Sequence, residues 1–416
     1  MRIIVALGVM LIAPQLATPA LAQADHSQTE ALARGEYLTR AADCTACHTA
    51  PGGVDFAGGR EFVLPFGKLY SPNITPDAAT GIGGYTDNEW VAMLREGVAR
   101  GGRHLYPAMP YTSYTQMTRE DALLVKTYLM SLAPVHQPPR ENRIRFPFNQ
   151  RWGMIAWNWI NNPDQRFAPD ATRSAAYNRG AYLVNALGHC QQCHTPRNFM
   201  MGLKTSKAFA GAQQDGWLAY NLTSDGKTGL GGWTDSQLAQ YLSTGHTAGR
   251  GPAAGPMAQA VENSLRYLTP SDIGAMITYL RAIPGQVDGP AAVVADTPAV
   301  TLDPLGARIF GEACAGCHLP NGEGRQSRWA GLLGDHDAGD PTGLNIVQVL
   351  VEGSHLETGE GRMFMHAFTG AYTDGELAAL GNYTIGQFGH RQGTITPQQI
   401  QQHRRAVPGE AAKSAS

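Results

Sequence analysis

All six cysteines of this 416-residue chain fall into three units of one design. Cys44-Thr45-Ala46-Cys47-His48, Cys190-Gln191-Gln192-Cys193-His194 and Cys314-Ala315-Gly316-Cys317-His318 each set two thiols three residues apart, with an imidazole directly behind. Thiols at that spacing can form thioethers to the two vinyl groups of one haem, and the imidazole that follows then stands beneath the iron. Zinc sites would want a second ligand pair beside each motif, and no cysteine is left over. A thioredoxin-like motif would sit near a βαβ pattern, and none is evident. The spacing predicts three covalent c-type haems attached through Cys44, Cys47, Cys190, Cys193, Cys314 and Cys317, with His48, His194 and His318 as proximal ligands.

What such an iron can do depends on its sixth position. An open position binds or reduces a substrate, whereas a His/Met pair suits electron transfer and raises the potential. Met109, in Tyr106-Pro107-Ala108-Met109-Pro110-Tyr111, and Met257, in Gly255-Pro256-Met257, read as loop residues 65 and 67 positions after Cys44 and Cys190. The near-equal offsets point to both as distal ligands. Met93 and Met276 fall in apparent helices and read as core filler. The third unit offers Met363-Phe364-Met365-His366; Met365 is preferred there, with Met363 and His366 left open. His104 and His355 read as surface residues, and His189 as part of a pocket wall. No dinucleotide, phosphate-loop or zinc-protease motif is present, so no substrate site is expected. The reading is an electron carrier, not an enzyme; its rivals are a free-standing shuttle and a haem enzyme with one open iron.

The elements that must position these residues repeat as well. Arg34-Gly35-Glu36-Tyr37-Leu38 and Arg179-Gly180-Ala181-Tyr182-Leu183 precede the first two motifs, and Gly306-Ala307-Arg308-Ile309-Phe310 precedes the third. Each predicts a short helix with a glycine for close backbone approach and an aromatic residue for the core. Asn73-Ile74-Thr75 and Gly81-Ile82-Gly83-Gly84-Tyr85-Thr86-Asp87 recur as Asn221-Leu222-Thr223 and Gly229-Leu230-Gly231-Gly232-Trp233-Thr234-Asp235. Thr118, Thr269 and Thr373 then open closing helices, with Asp121, Pro270 and Glu376 as the supporting signals. Strand signals are few. The expected fold is mainly α, with three consecutive small haem domains of which the first two are more alike.

Lys+Arg of 32 against Asp+Glu of 34 leaves a net charge of −2, without the basic excess of a nucleic-acid binder. Arg2, the apolar run Ile3 to Ala13 and Ala20-Leu21-Ala22 predict a signal peptide over residues 1–22, with export out of the cytoplasm. The domains are expected at 23–133, 173–284 and 302–387. Between them lie a Trp-rich linker (134–172), read mainly as interdomain packing with a membrane or partner contact as the alternative, and an extended spacer (285–301). A polar tail is expected over 388–416.

Together these stretches, with Asn73-Ile74-Thr75-Pro76-Asp77, Ala254-Gly255-Pro256-Met257 and Phe146-Pro147-Phe148-Asn149-Gln150-Arg151-Trp152, resemble the triheme cytochrome c subunits of bacterial membrane-associated periplasmic dehydrogenases. The resemblance covers nearly the whole mature chain. It implies three cytochrome c domains and His48/Met109, His194/Met257 and His318/Met365 as ligand pairs. Members usually have proline after the third methionine, where this chain has His366. The family further implies a catalytic subunit that oxidises an alcohol, aldehyde, sugar or sugar acid with a quinone (PQQ), flavin (FAD) or molybdenum cofactor. Electrons would pass to ubiquinone or a terminal oxidase at the periplasmic face of the membrane, with peripheral attachment. The polar stretch Gln398 to Arg405 differs from the amphipathic anchor of many members.

Overall fold

The computed structural model describes residues 19–287, 300–325 and 328–406; most of the expected signal peptide and most of the second linker lie outside them. Helices dominate, and the strands are short antiparallel arms. The framework is three pairs of leading and closing helices: Pro19–Ala41 with Arg119–Ser131, Ala175–Tyr182 with Pro270–Arg281, and Pro304–Ile309 with Asp374–Gly389.

A glycine lets each pair touch. A Cβ on Gly35 would overlap the Leu124 carbonyl, one on Gly180 the Ala275 carbonyl, and one on Gly306 the Ala379 carbonyl. The side chain one turn further along each closing helix, Tyr128, Tyr279 or Tyr383, meets the same position. The closing helices start where the threonines predict. Thr118, Thr269 and Thr373 accept the backbone N–H of Asp121, Asp272 and Glu376, and Thr373 and Glu376 complete a reciprocal capping box.

Tyr182 and Phe310 are core residues, as expected, whereas Tyr37 is not. The hydroxyls of Tyr37 and Tyr182 both reach across to the other pair's closing helix. The Tyr37 hydroxyl donates to Asp272 at 2.6 Å and accepts the Thr269 N–H at 3.2 Å. The Tyr182 hydroxyl donates to Asp121 at 2.7 Å and accepts the Thr118 N–H at 3.2 Å. Arg179 closes the first of these with two bonds of 2.8 and 2.6 Å to Asp272, and Arg34 stands 3.8 Å from Asp121. Burial pushes the Asp272 carboxyl up, but Arg179 and Tyr37 overcome it and hold the group below its usual range. One continuous core joins the two pairs, with Leu38, Trp90 and Leu129 in the same cluster as Leu187, Val261 and Met276.

The third pair has its own core around Ile309, Phe310, Cys314, Leu380 and Phe388. Its closing helix runs to Gly389, and the segment expected as a polar tail folds back onto it. There Ile395 and Ile400 are buried beside Leu377 and Ile385, and Arg404 binds Asp374 at 2.9 Å. The polar residues of that segment hid two anchoring isoleucines.

Gly180→Ala should therefore destabilise the chain by about 1–3 kcal/mol through overpacking. Gly274→Ala, in the partner helix with nothing within 4 Å of the new methyl, should be neutral or stabilising by up to about 1 kcal/mol. Denaturant unfolding of the two variants checks this, and equal midpoints would contradict the close-approach argument.

Candidate haem-binding sites

Each motif histidine is fixed by the same kind of bond. His48 Nδ1 lies 2.8 Å from the Pro72 carbonyl, His194 Nδ1 2.6 Å from that of Tyr220, and His318 Nδ1 2.7 Å from that of Ala330. A carbonyl only accepts, so the proton is on Nδ1 and the lone pair is on Nε2. Burial lowers the pKa of all three imidazoles, against the carbonyl bonds that raise it, and so favours the neutral ring. A neutral imidazole with Nδ1–H tied to a carbonyl is the arrangement of a metal-ligating histidine.

A second bond fixes the backbone behind each ring. The N–H of Gly58 donates to the His48 carbonyl at 2.7 Å, Gly211 to that of His194 at 3.0 Å, and Gly324 to that of His318 at 3.0 Å. Gly58 has φ +76°, and a Cβ there would overlap the Pro72 carbonyl that holds His48. Its counterpart Gly211 (φ +86°) packs in the same way against residues 219–221. Motif spacing does not reveal these glycines; their signal in the sequence is the repeat of Phe56-Ala57-Gly58 as Phe209-Ala210-Gly211. Asn73 and Asn221, each just after an acceptor carbonyl, do the remaining positioning. Asn73 donates to the Val135 carbonyl at 2.7 Å and Asn221 to the Gln286 carbonyl at 2.6 Å. The loop that carries each acceptor is thereby pinned to the chain leaving the closing helix.

The six cysteines are unpaired thiols. Burial pushes Cys44 and Cys190 up to about 12 and Cys47 and Cys314 up to about 11, so these four thiols are protonated at neutral pH. Free thiols beside an imidazole whose Nε2 is available fit a covalent c-type haem, and they do not fit a disulfide framework.

The methionines divide between two cores. Met109 and Met257 are half-buried against the cluster that contains Cys44 and Cys190, and Met365 is half-buried against the one that contains Cys314. Met257 lies in the first turn of the Gly255–Asn263 helix and not in a loop, because Pro256 starts that helix. Met93 and Met276 are core residues, as expected. Met363 and Met365 share the strand Gly361–Met365, but Met363 packs on the other cluster, opposite the buried Leu356. His366 stacks edge-on against Phe364, with ring centroids 4.8 Å apart.

The first two motifs are neighbours. Tyr114 donates to the Ala42 carbonyl at 2.7 Å, and its ring meets His189, beside Cys190, at 5.7 Å. Burial lowers the pKa of His189 to about 4, in keeping with a pocket-wall residue.

The Cytochrome c family matches residues 32–133 and 305–384, which hold the first and third motifs. The chain is 35% identical over 401 residues to the fructose dehydrogenase cytochrome subunit of Gluconobacter japonicus, covering 90% of this chain and 82% of that one. This chain belongs to the cytochrome c subunits of dehydrogenases. A second member, the gluconate 2-dehydrogenase cytochrome c subunit of Pantoea cypripedii, is 40% identical over 333 residues, 75% of this chain and 74% of its own. The cytochrome c subunit of the quinone-type alcohol dehydrogenase of Komagataeibacter europaeus is 35% identical over 339 residues, 77% of this chain and 72% of its own. As a cytochrome c subunit the chain carries c-type haem and transfers electrons, and it is not the catalytic subunit.

Gly58→Ala should displace the Pro72 carbonyl and cost about 1–3 kcal/mol. With that hydrogen bond weakened, the His48 imidazole becomes less basic, so the potential of its haem should rise. Gly52→Ala is the control, since it also forces a positive φ (+69°) but meets nothing within 4 Å. Potentiometric titration separates them; an equal change in both would mean that the carbonyl is not what tunes the site.

Proposed function

We propose that the chain carries three c-type haems, with His48/Met109, His194/Met257 and His318/Met365 as axial pairs. The cytochrome c domains span about 23–133, 173–284 and 302–387. The observation that carries this reading is the single Nδ1-to-carbonyl device at all three motif histidines. Each bound haem supplies a one-electron couple, and an axial thioether raises its potential. The chain's residues hold each imidazole neutral and aimed, and Met109, Met257 and Met365, packed on the same cores as the motifs, would supply the second ligand.

The second motif takes the middle of the relay. Tyr114 links its surroundings to the first motif, and Tyr220, whose carbonyl holds His194, donates its hydroxyl to Asp337 in the third segment at 2.6 Å. The electron donor is a catalytic dehydrogenase subunit acting on an alcohol, aldehyde, sugar or sugar acid, with a PQQ, flavin or molybdenum cofactor. The acceptor is ubiquinone or a terminal oxidase. The complex works on the periplasmic side of the cytoplasmic membrane, after removal of residues 1–22 as a signal peptide.

Haem quantitation should return three per chain, falling to two in Cys190→Ala/Cys193→Ala; two in both the unaltered chain and the variant would remove the second motif from the relay. Met257→Ala should keep three haems but lower one potential by well over the ~59 mV that shifts a one-electron equilibrium tenfold. An unchanged titration would reassign the ligand. Carbon monoxide should bind the reduced variant readily and the unaltered chain poorly.

A further inference from the structure

The helix Gly153–Asn161 is inside out. Its polar side chains face the protein: Asn158 accepts from the Tyr111 hydroxyl at 2.6 Å and donates to the Glu96 carbonyl at 3.3 Å, and Asn161 accepts from Asn198 at 3.3 Å. Among the tryptophans of this segment only Trp157 turns inward, donating to the Met200 carbonyl at 2.7 Å. The outer stripe is apolar. Trp152, Ile155, Trp159 and Ile160 recur at helical spacing and are 72, 57, 88 and 59% exposed. Phe146 at 79% and Phe199 at 96% extend the same kind of surface in the flanking loops. The interdomain packing expected of this linker thus holds for Trp157 alone among its tryptophans.

A hydrogen-bonded support that presents large apolar side chains outward does not arise from solvation, since it would leave tryptophan in water. Something covers the stripe. Along the chain beside the stripe, Arg143 and Arg145 are exposed, Arg151 is turned to the His104 carbonyl and the Tyr106 ring, and the nearest acidic residues are Glu141 and Asp164. Tryptophan and phenylalanine above a basic fringe are the composition that settles at a lipid headgroup boundary, apolar rings inward and guanidinium groups on phosphates. The C-terminal helix Pro397–Ala406 does not offer this, because its Ile400 is fully buried. Among the described residues no helix is long and apolar enough to cross a membrane.

We propose that the outer face of Gly153–Asn161, with Phe146 and Phe199, is a membrane-contact surface that lies in the headgroup plane of a bilayer containing anionic lipid. The inference deepens the proposed membrane-side role and depends on it only for which leaflet is met. The test is co-sedimentation of the haem-loaded chain with phosphatidylglycerol/phosphatidylcholine vesicles. Binding should be clear, weaker on pure phosphatidylcholine, and reduced about tenfold by Trp152→Ser/Trp159→Ser. Arg143→Gln/Arg145→Gln should lose the preference for phosphatidylglycerol. The exposed positions allow all variants to fold, which haem content checks in the same samples; that count also tests the three-haem reading separately. Equal sedimentation of the tryptophan variant and the unaltered chain overturns the proposal. So does failure of the unaltered chain to bind either vesicle while the tryptophans are needed for co-elution with a dehydrogenase subunit, which would assign the face to a protein partner.

Discussion

The bond from each motif histidine's Nδ1 to a backbone carbonyl is the constraint around which the rest is arranged. It fixes the tautomer, orients the ring and leaves one nitrogen free, and it needs an acceptor held still. Residues far from the motif do the holding. Gly58 and Gly211 let the chain pass close to the acceptor loop, and Asn73 and Asn221 tie that loop to the exit of the closing helix. Stability and ligand geometry therefore share the same contacts, as metal sites with well-ordered surroundings require.

The joint between the first two helix pairs follows a similar economy. In Arg-Gly-x-Tyr, the arginine serves its own closing helix, the glycine admits that helix, and the tyrosine crosses to the other one. Each crossing hydroxyl meets an aspartate and a backbone N–H in the first turn of a helix, where negative charge and an acceptor are both favourable. The third segment lacks the arginine and the tyrosine at those positions, and it joins through other contacts, Tyr220 with Asp337 and Asn345 with Leu218. Two segments thus share one core, to which the third lends Leu356 and Met363 while keeping its own beside them.

Function in a relay asks for fixed centres and for surfaces that meet other molecules. Burial of the histidines and thiols serves the first requirement. The reversed helix Gly153–Asn161 bears on the second, because its asparagines anchor it to the protein and leave Trp159 and the preceding Trp152 outside.

The three Cys-x-x-Cys-His motifs, the helix caps and the close-approach glycines were legible in the sequence because each depends on local spacing or on a repeat. The carbonyl acceptors were not, since any residue has a carbonyl and only folding decides which one faces an imidazole. For the same reason hydropathy alone could not tell that Ile400 turns in while Trp159 turns out, or that Met363 and Met365 pack on different cores. Covalent chemistry is written in residue type and interval, whereas partners distant along the chain are chosen by the packing of whole elements.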